Sequence, residues 1–187
     1  MIPVRALTIK GVGRLAFVSC QVDVSTPTAD TVNPRVKLSY VAIWDTGATG
    51  TVITSTVATA LKIAPTGLVK TNTANGERDS NVYLVDVLLP NGVAFPNITV
   101  TEGTLKGADV LIGMDIICQG DFAITNVGGK TTASYRHPSI AEIDYVAEAP
   151  DGFLPETRAE KRQLGHRKHL VPPPPAAPGG RPRRQRR

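Results

Sequence analysis

Residues 42–53 read AIWDTGATGTVI, and they set one carboxylate, Asp45, directly after an apolar run and directly before a glycine-containing turn. Upstream of Asp45, the side chains of Val36, Leu38, Tyr40, Ala42 and Trp44 share one face of an extended segment, while Lys37 and Ser39 occupy the other. That second face turns apolar at Val41 and Ile43. A strand that becomes apolar on both faces is running into an interior, so Asp45 is delivered to a sheltered place. The plain reading of such an acid is a turn former bonded to its own loop. The sharper one is half of a catalytic pair.

Outward from this segment the chain is strand-like and repeatedly punctuated. Val, Ile and Thr recur and aromatic residues are few, a bias that favours strands. VRALTIKG and RLAFVSCQVDV flank Gly11-Val12-Gly13 and predict an N-terminal hairpin. TSTVATALKI predicts a short helix, capped by Thr54 or Ser55, with Val57, Ala60 and Leu61 inward. GLVKTNTANGERDSNVYLVDVLLP predicts two strands around a polar turn, for which Asn75-Gly76 is a strong hairpin signal. VAFPNITVTEG gives another strand. ADVLIGMDIICQG gives an apolar strand, a glycine and a helical turn. DFAITNVGGKTTASYRH gives a last hairpin around Val127-Gly128-Gly129.

Charge divides the chain unevenly. Its formal net charge is +5 over 187 residues, yet residues 158–187 hold ten Lys/Arg against a single acid, Glu160. The rest of the chain is therefore acidic. HLVPPPPAAPGGRPRRQRR cannot bury enough apolar surface to offset its ordering entropy. The expected organisation is one domain over residues 1–140 and a flexible Pro/Arg-rich basic tail over 141–187. The arginine cluster at 181–187 could contact phosphates or an acidic protein. With no interleaved aromatics, a solubilising tail is the favoured reading.

Cys20 and Cys118 form no CxxC and no Cys/His cluster, so both are expected to be buried, reduced thiols. His137, His166 and His169 have no clustered ligands, and neither a metal nor a cofactor is expected. Trp44 is expected in the core, and Lys10, Arg14 and Arg136 on solvated strand faces. The N-terminal MIPVRALTIKGVG lacks the apolar stretch of a signal peptide, and no run of about 18 apolar residues is present. A cytoplasmic protein without membrane contact is expected.

WDTGAT (44–49), followed by TVI, a short helix, a hairpin containing TANG (73–76) and ADVLIGMD (108–115), resembles the retropepsin-like aspartic proteases, more narrowly their bacterial members. The resemblance spans roughly residues 1–140. It implies a mainly β fold, a closed β-barrel of the retropepsin (acid protease) type with one or two short helices. It implies further that Asp45 is catalytic and that Thr46 and Gly47 support the active-site loop. Thr46 would hydrogen-bond across to a partner loop, and Gly47 would admit close backbone approach. Ile112-Gly113 would be the structural glycine motif packed under that loop. The hairpin at 68–89 would be a flap with its tip somewhere from Ala74 to Asn81, and Ala48 with Thr73, Ala74, Asn75 and Gly76 would contact an extended peptide by strand addition.

Aspartic proteases hold two carboxylates about 3 Å apart sharing one proton: one activates water, the other polarises the scissile carbonyl. This chain has one Asp-Thr-Gly and no Asp-Ser-Gly. The missing half must be Asp45 of a second copy, facing the first across a two-fold axis. The expectation is thus a homodimeric aspartic endopeptidase. By analogy with retroviral relatives, the N-terminal hairpin and the 121–137 hairpin contribute dimer contacts. Two departures stand out: Ala48 carries no hydroxyl to donate to the carboxylates, and Met114 replaces the arginine of retroviral enzymes. Asp115 then reads as structural. The competing readings are a catalytically silent dimerisation or peptide-binding module and, less favoured, a nucleic-acid-associated protein acting through its tail.

Overall fold

A computed structural model of the chain describes residues 3–27, 36–73 and 76–148. Packing divides the chain into two units, Met1–Ala141 and Glu142–Arg187. Of the second, residues 142–148 are exposed and end in a turn in which the Asp144 carboxylate accepts the Val146 N–H at 2.9 Å.

The first unit is mainly β. Among the described residues ten strands carry it: β1 (Arg5–Lys10), β2 (Val18–Ser25), β3 (Lys37–Trp44), β4 (Val52–Ile53), β5 (Gly67–Thr73), β6 (Gly76–Leu88), β7 (Ala94–Glu102), β8 (Val110–Ile112), β9 (Asp121–Thr125) and β10 (Thr132–His137). Two short helices accompany them, α1 (Ser55–Leu61) and α2 (Met114–Ile117). Seven strands form one sheet in the order β2-β3-β8-β4-β7-β6-β5, and β2 also pairs with β6, so the ladder returns to its starting strand. The remaining three form a second sheet, β1-β10-β9.

Burial follows strand alternation. In β3, Ala42 and Trp44 point inward while Val41 and Ile43 stay half-buried on the other face. Val22, Val24, Ile53, Val85, Val100 and Ile112 join the interior from neighbouring strands. Trp44 lies in the core as expected, stacked on Phe122 and tilted against Tyr135 with ring centroids 4.9 Å apart. The last hairpin, β9–β10, also forms as the sequence predicts, around a 3-10 turn at Val127–Gly129.

Several expectations are corrected. No N-terminal hairpin forms: β1 pairs with β10, while β2 pairs with β3 and β6. The cause is the bend at residues 11–15. The Gly11 N–H donates to the Thr131 carbonyl at 2.8 Å, the Thr131 N–H to the Gly13 carbonyl at 3.0 Å, and the Leu15 N–H to the Thr131 hydroxyl at 3.0 Å. Those bonds carry the chain from one sheet to the other. A Cβ on Gly11 would lie 2.7 Å from the Gly13 carbonyl oxygen, which is why glycine is needed there.

In α1 the buried residues are Val57, Ala58 and Leu61, and Ala60 is exposed, because Ala58 rather than Ala60 lies on the stripe shared by Val57 and Leu61. Thr54 is the N-cap residue, but its hydroxyl makes no capping bond. The β5–β6 ladder closes at Thr73↔Gly76. Glycine at 76 thus sits on the strand, at a φ of 104°, and the connection falls at residues 74–75, outside the described residues. Cys20 is half-buried, and burial pushes its thiol up despite the Trp44 indole N–H 3.3 Å away; Cys118, at the end of α2, is exposed. Arg136 is no free surface cation. It donates twice to Asp121, at 2.8 and 2.6 Å.

Candidate active site

The candidate site is built where two segments far apart in sequence cross. β3 and β8 run parallel, with Ala42, Ile43 and Trp44 opposite Val110, Leu111 and Ile112. The ladder continues one step further, the Asp45 N–H donating to the Ile112 carbonyl at 3.0 Å. The chain then turns: the Ala48 N–H donates to the Asp45 carbonyl at 3.3 Å. At the far side of the turn the Met114 N–H donates to the Ala48 carbonyl at 2.9 Å. The loop 45–48 is therefore pinned at both ends to the segment 112–114.

Asp45 is half-exposed and its Oδ1 accepts the Gly47 N–H at 2.8 Å. Thr46 and Gly47 are exposed, and Ala48 is half-buried. A Cβ on Gly47 would lie 3.1 Å from that same Oδ1, so glycine keeps the carboxylate's near side open. Gly113 has an ordinary extended backbone but no room: a Cβ there would sit 2.5 Å from the carbonyl carbon and oxygen of Gly50. The loop and the apolar-glycine motif pack backbone against backbone.

Beneath them lies a support that sequence reading missed. Thr51 is buried, its N–H donating to Asp115 Oδ2 at 2.9 Å and its hydroxyl to Asp115 Oδ1 at 2.8 Å. The same Thr51 oxygen accepts the Gly113 N–H at 3.3 Å. Asp115 is structural, as expected, and Thr51 is the hub it grips. The signal available was a threonine between the Gly50 turn and an apolar pair, too common a pattern to single out.

Asp45 belongs to the outward face of β3, two residues beyond Ile43. Across the sheet, Ile43 pairs with Leu111, Leu111 with Val52, Val52 with Thr101 and Thr101 with Val82. All five are half-buried, whereas the residues on the opposite face form the core. A mostly apolar row thus leads from beside Asp45 to the root of the β5–β6 hairpin. Thr73 and Gly76 pair with each other at the far end of that hairpin; Ala74 and Asn75 lie outside the described residues. The structure bonds residues 45–48 directly to Ile112 and Met114, sets Gly113 against Gly50 and Thr51 just past that loop, and pairs Thr73 with Gly76.

Among the described residues, no three His, Cys, Asp or Glu side chains gather as a metal ion would require, and no helix is long and apolar enough to cross a membrane.

Residues 33–119, the segment from before β3 through α2, match the family described as "gag-polyprotein putative aspartyl protease". Among solved structures, the chain is similar to a retropepsin-like aspartic protease from Rickettsia conorii, at 20% identity over 72% of this chain and 96% of that one, with a TM-score of 0.44. It is also similar to the retroviral protease-like domain of Ddi1 from Leishmania major, at 15% identity over 55% of this chain and 78% of that one, with a TM-score of 0.33. No curated protein matches. The resemblance to the retropepsin-like aspartic proteases, carried by residues 44–49 and 108–115, is borne out.

Proposed function

We propose that the chain is a homodimeric aspartic endopeptidase of the cytoplasm, in which Asp45 of each of two copies supplies half of the catalytic pair. The observation that carries this reading is the Asp45 loop itself. A single half-exposed carboxylate is held by the Gly47 N–H on a turn bonded at both ends to residues 112–114. Two such loops facing each other across a two-fold axis would hold their carboxylates close enough to share one proton. One would draw the proton from a water attacking the scissile carbonyl while the other donates to that carbonyl's oxygen. The roles reverse when the leaving amine is protonated. Neither titration then belongs to one residue.

In this reading Thr46 and Gly47 support the paired loops, and residues 73–76 and Ala48 hold the main chain of an extended peptide. The row Ile43, Leu111, Val52 and Val82 favours apolar side chains around the cleaved bond. The ring of β2, β3, β8, β4, β7 and β6 acts as the closed barrel of the family within a domain of residues 1–140, and residues 141–187 form the tail.

The three-stranded sheet supports self-association. With β1, β9 is one of its two edge strands. Its Phe122 is half-buried and its Ile124 is 47% exposed, although both lie on the apolar face shared with Tyr135 and Ala133. An edge strand that packs Phe122 on the core and leaves Ile124 uncovered suits a second copy of itself.

An unfolded peptide library tests the proposal. The wild-type protein should cleave it, and Asp45→Asn should abolish cleavage while sedimentation shows the same dimer. Binding of extended peptides without turnover at any pH, unaffected by Asp45→Asn, would instead favour a silent peptide-binding module.

A further inference from the structure

The β5–β6 hairpin leaves the sheet at a fork. Val82↔Thr101 is the last pair joining β6 to β7 on that side. Beyond it, β7 passes to β4 through the pair Ile53↔Glu102, while β6 continues with β5 alone. The two residues flanking the fork, Asn81 on β6 and Glu102 on β7, therefore have no ladder between them.

A side chain spans that gap. Glu102 Oε2 accepts the Asn81 amide at 3.0 Å and the Tyr83 hydroxyl at 2.7 Å, both from β6. Tyr83 is buried, so its hydroxyl needs this partner. The two donors hold the Glu102 carboxyl below the usual range, and Glu102 in turn raises the Tyr83 phenol, already raised by burial. Arg78, further along the hairpin, attracts the same carboxylate.

On the opposite strand, the Thr66 N–H and hydroxyl both donate to the Val82 carbonyl, at 2.7 and 3.1 Å. Both legs of the hairpin are thus clamped at one level. The backbone under Glu102 is fixed in its turn, because the Gly103 N–H donates to the Ile53 carbonyl at 2.9 Å and the Thr101 N–H to the Thr51 carbonyl at 3.2 Å. Thr51 is the hub beneath the Asp45 loop. Glu102 therefore links the hairpin root to the platform that carries Asp45.

We propose that Glu102 is a positioning residue that fixes how the β5–β6 hairpin leaves the sheet, and thereby how tightly an extended peptide is held against the Asp45 loop. The second half rests on the peptidase reading above; the first does not.

The test pairs amide hydrogen exchange with steady-state kinetics on a peptide that the wild type cleaves. Glu102→Ala should raise exchange of the amides of 67–73 and 76–81 about tenfold while leaving β3 and β8 unchanged. It should raise KM about tenfold with kcat within about threefold, and leave the sedimentation profile intact. Glu102→Gln, whose amide oxygen still accepts both donors, should return both readings to near wild type. Tyr83→Phe removes one bond, moves them part of the way, and carries the test if the alanine variant does not fold. Unchanged hairpin exchange, or a rise spread equally over β3 and β8, would overturn the proposal, as would a fall in kcat at constant KM. If the wild type cleaves no peptide, the peptidase reading fails and the exchange measurement alone decides the role of Glu102.

Discussion

Trp44, the residue before Asp45, lies flat against Phe122 of β9, with ring centroids 5.1 Å apart and planes within 7° of parallel. The strand that delivers the proposed catalytic acid and the free edge of the second sheet are therefore one packed unit. Phe122→Ala removes the stack and part of the core edge, and should lower stability by about 2 kcal/mol, read as a fall in urea midpoint. Ile124→Lys, further along the same face and 47% exposed, touches less of the core. It should leave the midpoint within about 0.5 kcal/mol of wild type. If two β9 edges meet, it should shift sedimentation towards monomer and reduce peptide cleavage in parallel. A full-strength dimer in Ile124→Lys would move the interface elsewhere.

Gly113→Ala tests whether the crossing under Asp45 is a steric requirement. The backbone of Gly113 is one any residue can adopt, so no conformational strain enters. The added methyl would meet the Gly50 backbone at 2.5 Å, and backbone cannot swing aside as a side chain can. A loss of about 2–3 kcal/mol is expected, with the turn displaced and cleavage lost. Thermal melting and a peptide assay check it, and an active, fully stable Gly113→Ala would refute the close packing.

Thr51→Val keeps the shape of the side chain but removes its hydroxyl. Asp115 Oδ1 then loses one of its two donors, keeping the Ile116 N–H at 3.0 Å, and the Gly113 N–H loses its acceptor. Leaving these polar groups without their partner should cost about 1–3 kcal/mol. Thr51→Ser, which restores the hydroxyl, should recover most of that loss in the same denaturation measurement.

The site's first half was legible in sequence because it rests on local rules. Alternation into Asp45 marks the strand; that LIG before Met114-Asp115 lies beside it was implied by the family resemblance alone, and the structure joins the two by the bonds from Asp45 to Ile112 and from Met114 to Ala48. What alternation cannot reveal is which strand lies beside which. Leu7 and Ile9 alternate equally well against β2 or β10, and the choice fell to the bonds between Gly11, Gly13 and Thr131. For the same reason Thr51, Glu102 and Tyr83 gave no signal. Each matters through a partner brought close only by folding: Asp115 for Thr51, and Asn81 for the Glu102–Tyr83 pair.

Asp121 offers a prediction in pH. Its carboxylate is held at about 2 by the Ser139 hydroxyl, the Ile140 N–H and the Arg136 guanidinium, which together fasten residues 139–140 back onto β9. A carboxylate whose folded value lies below the ordinary one, about 3.9, stabilises fully above that ordinary value. The contribution is lost as pH falls through the folded value. Melting temperature should therefore fall between about pH 4 and pH 2, and that fall should be shallower in Asp121→Asn, which has no charge to lose. The slope the variant retains belongs to other carboxylates held low, among them Asp23, bonded to Ser39 and Lys37, and Glu102. Because Asp121 opens the edge strand, the same acid range should also loosen the segment that follows β10. Exchange at Ile140, whose N–H lies 3.0 Å from Asp121 Oδ2, should rise before that of β3. Parallel melting curves for wild type and Asp121→Asn across this range would refute the assignment.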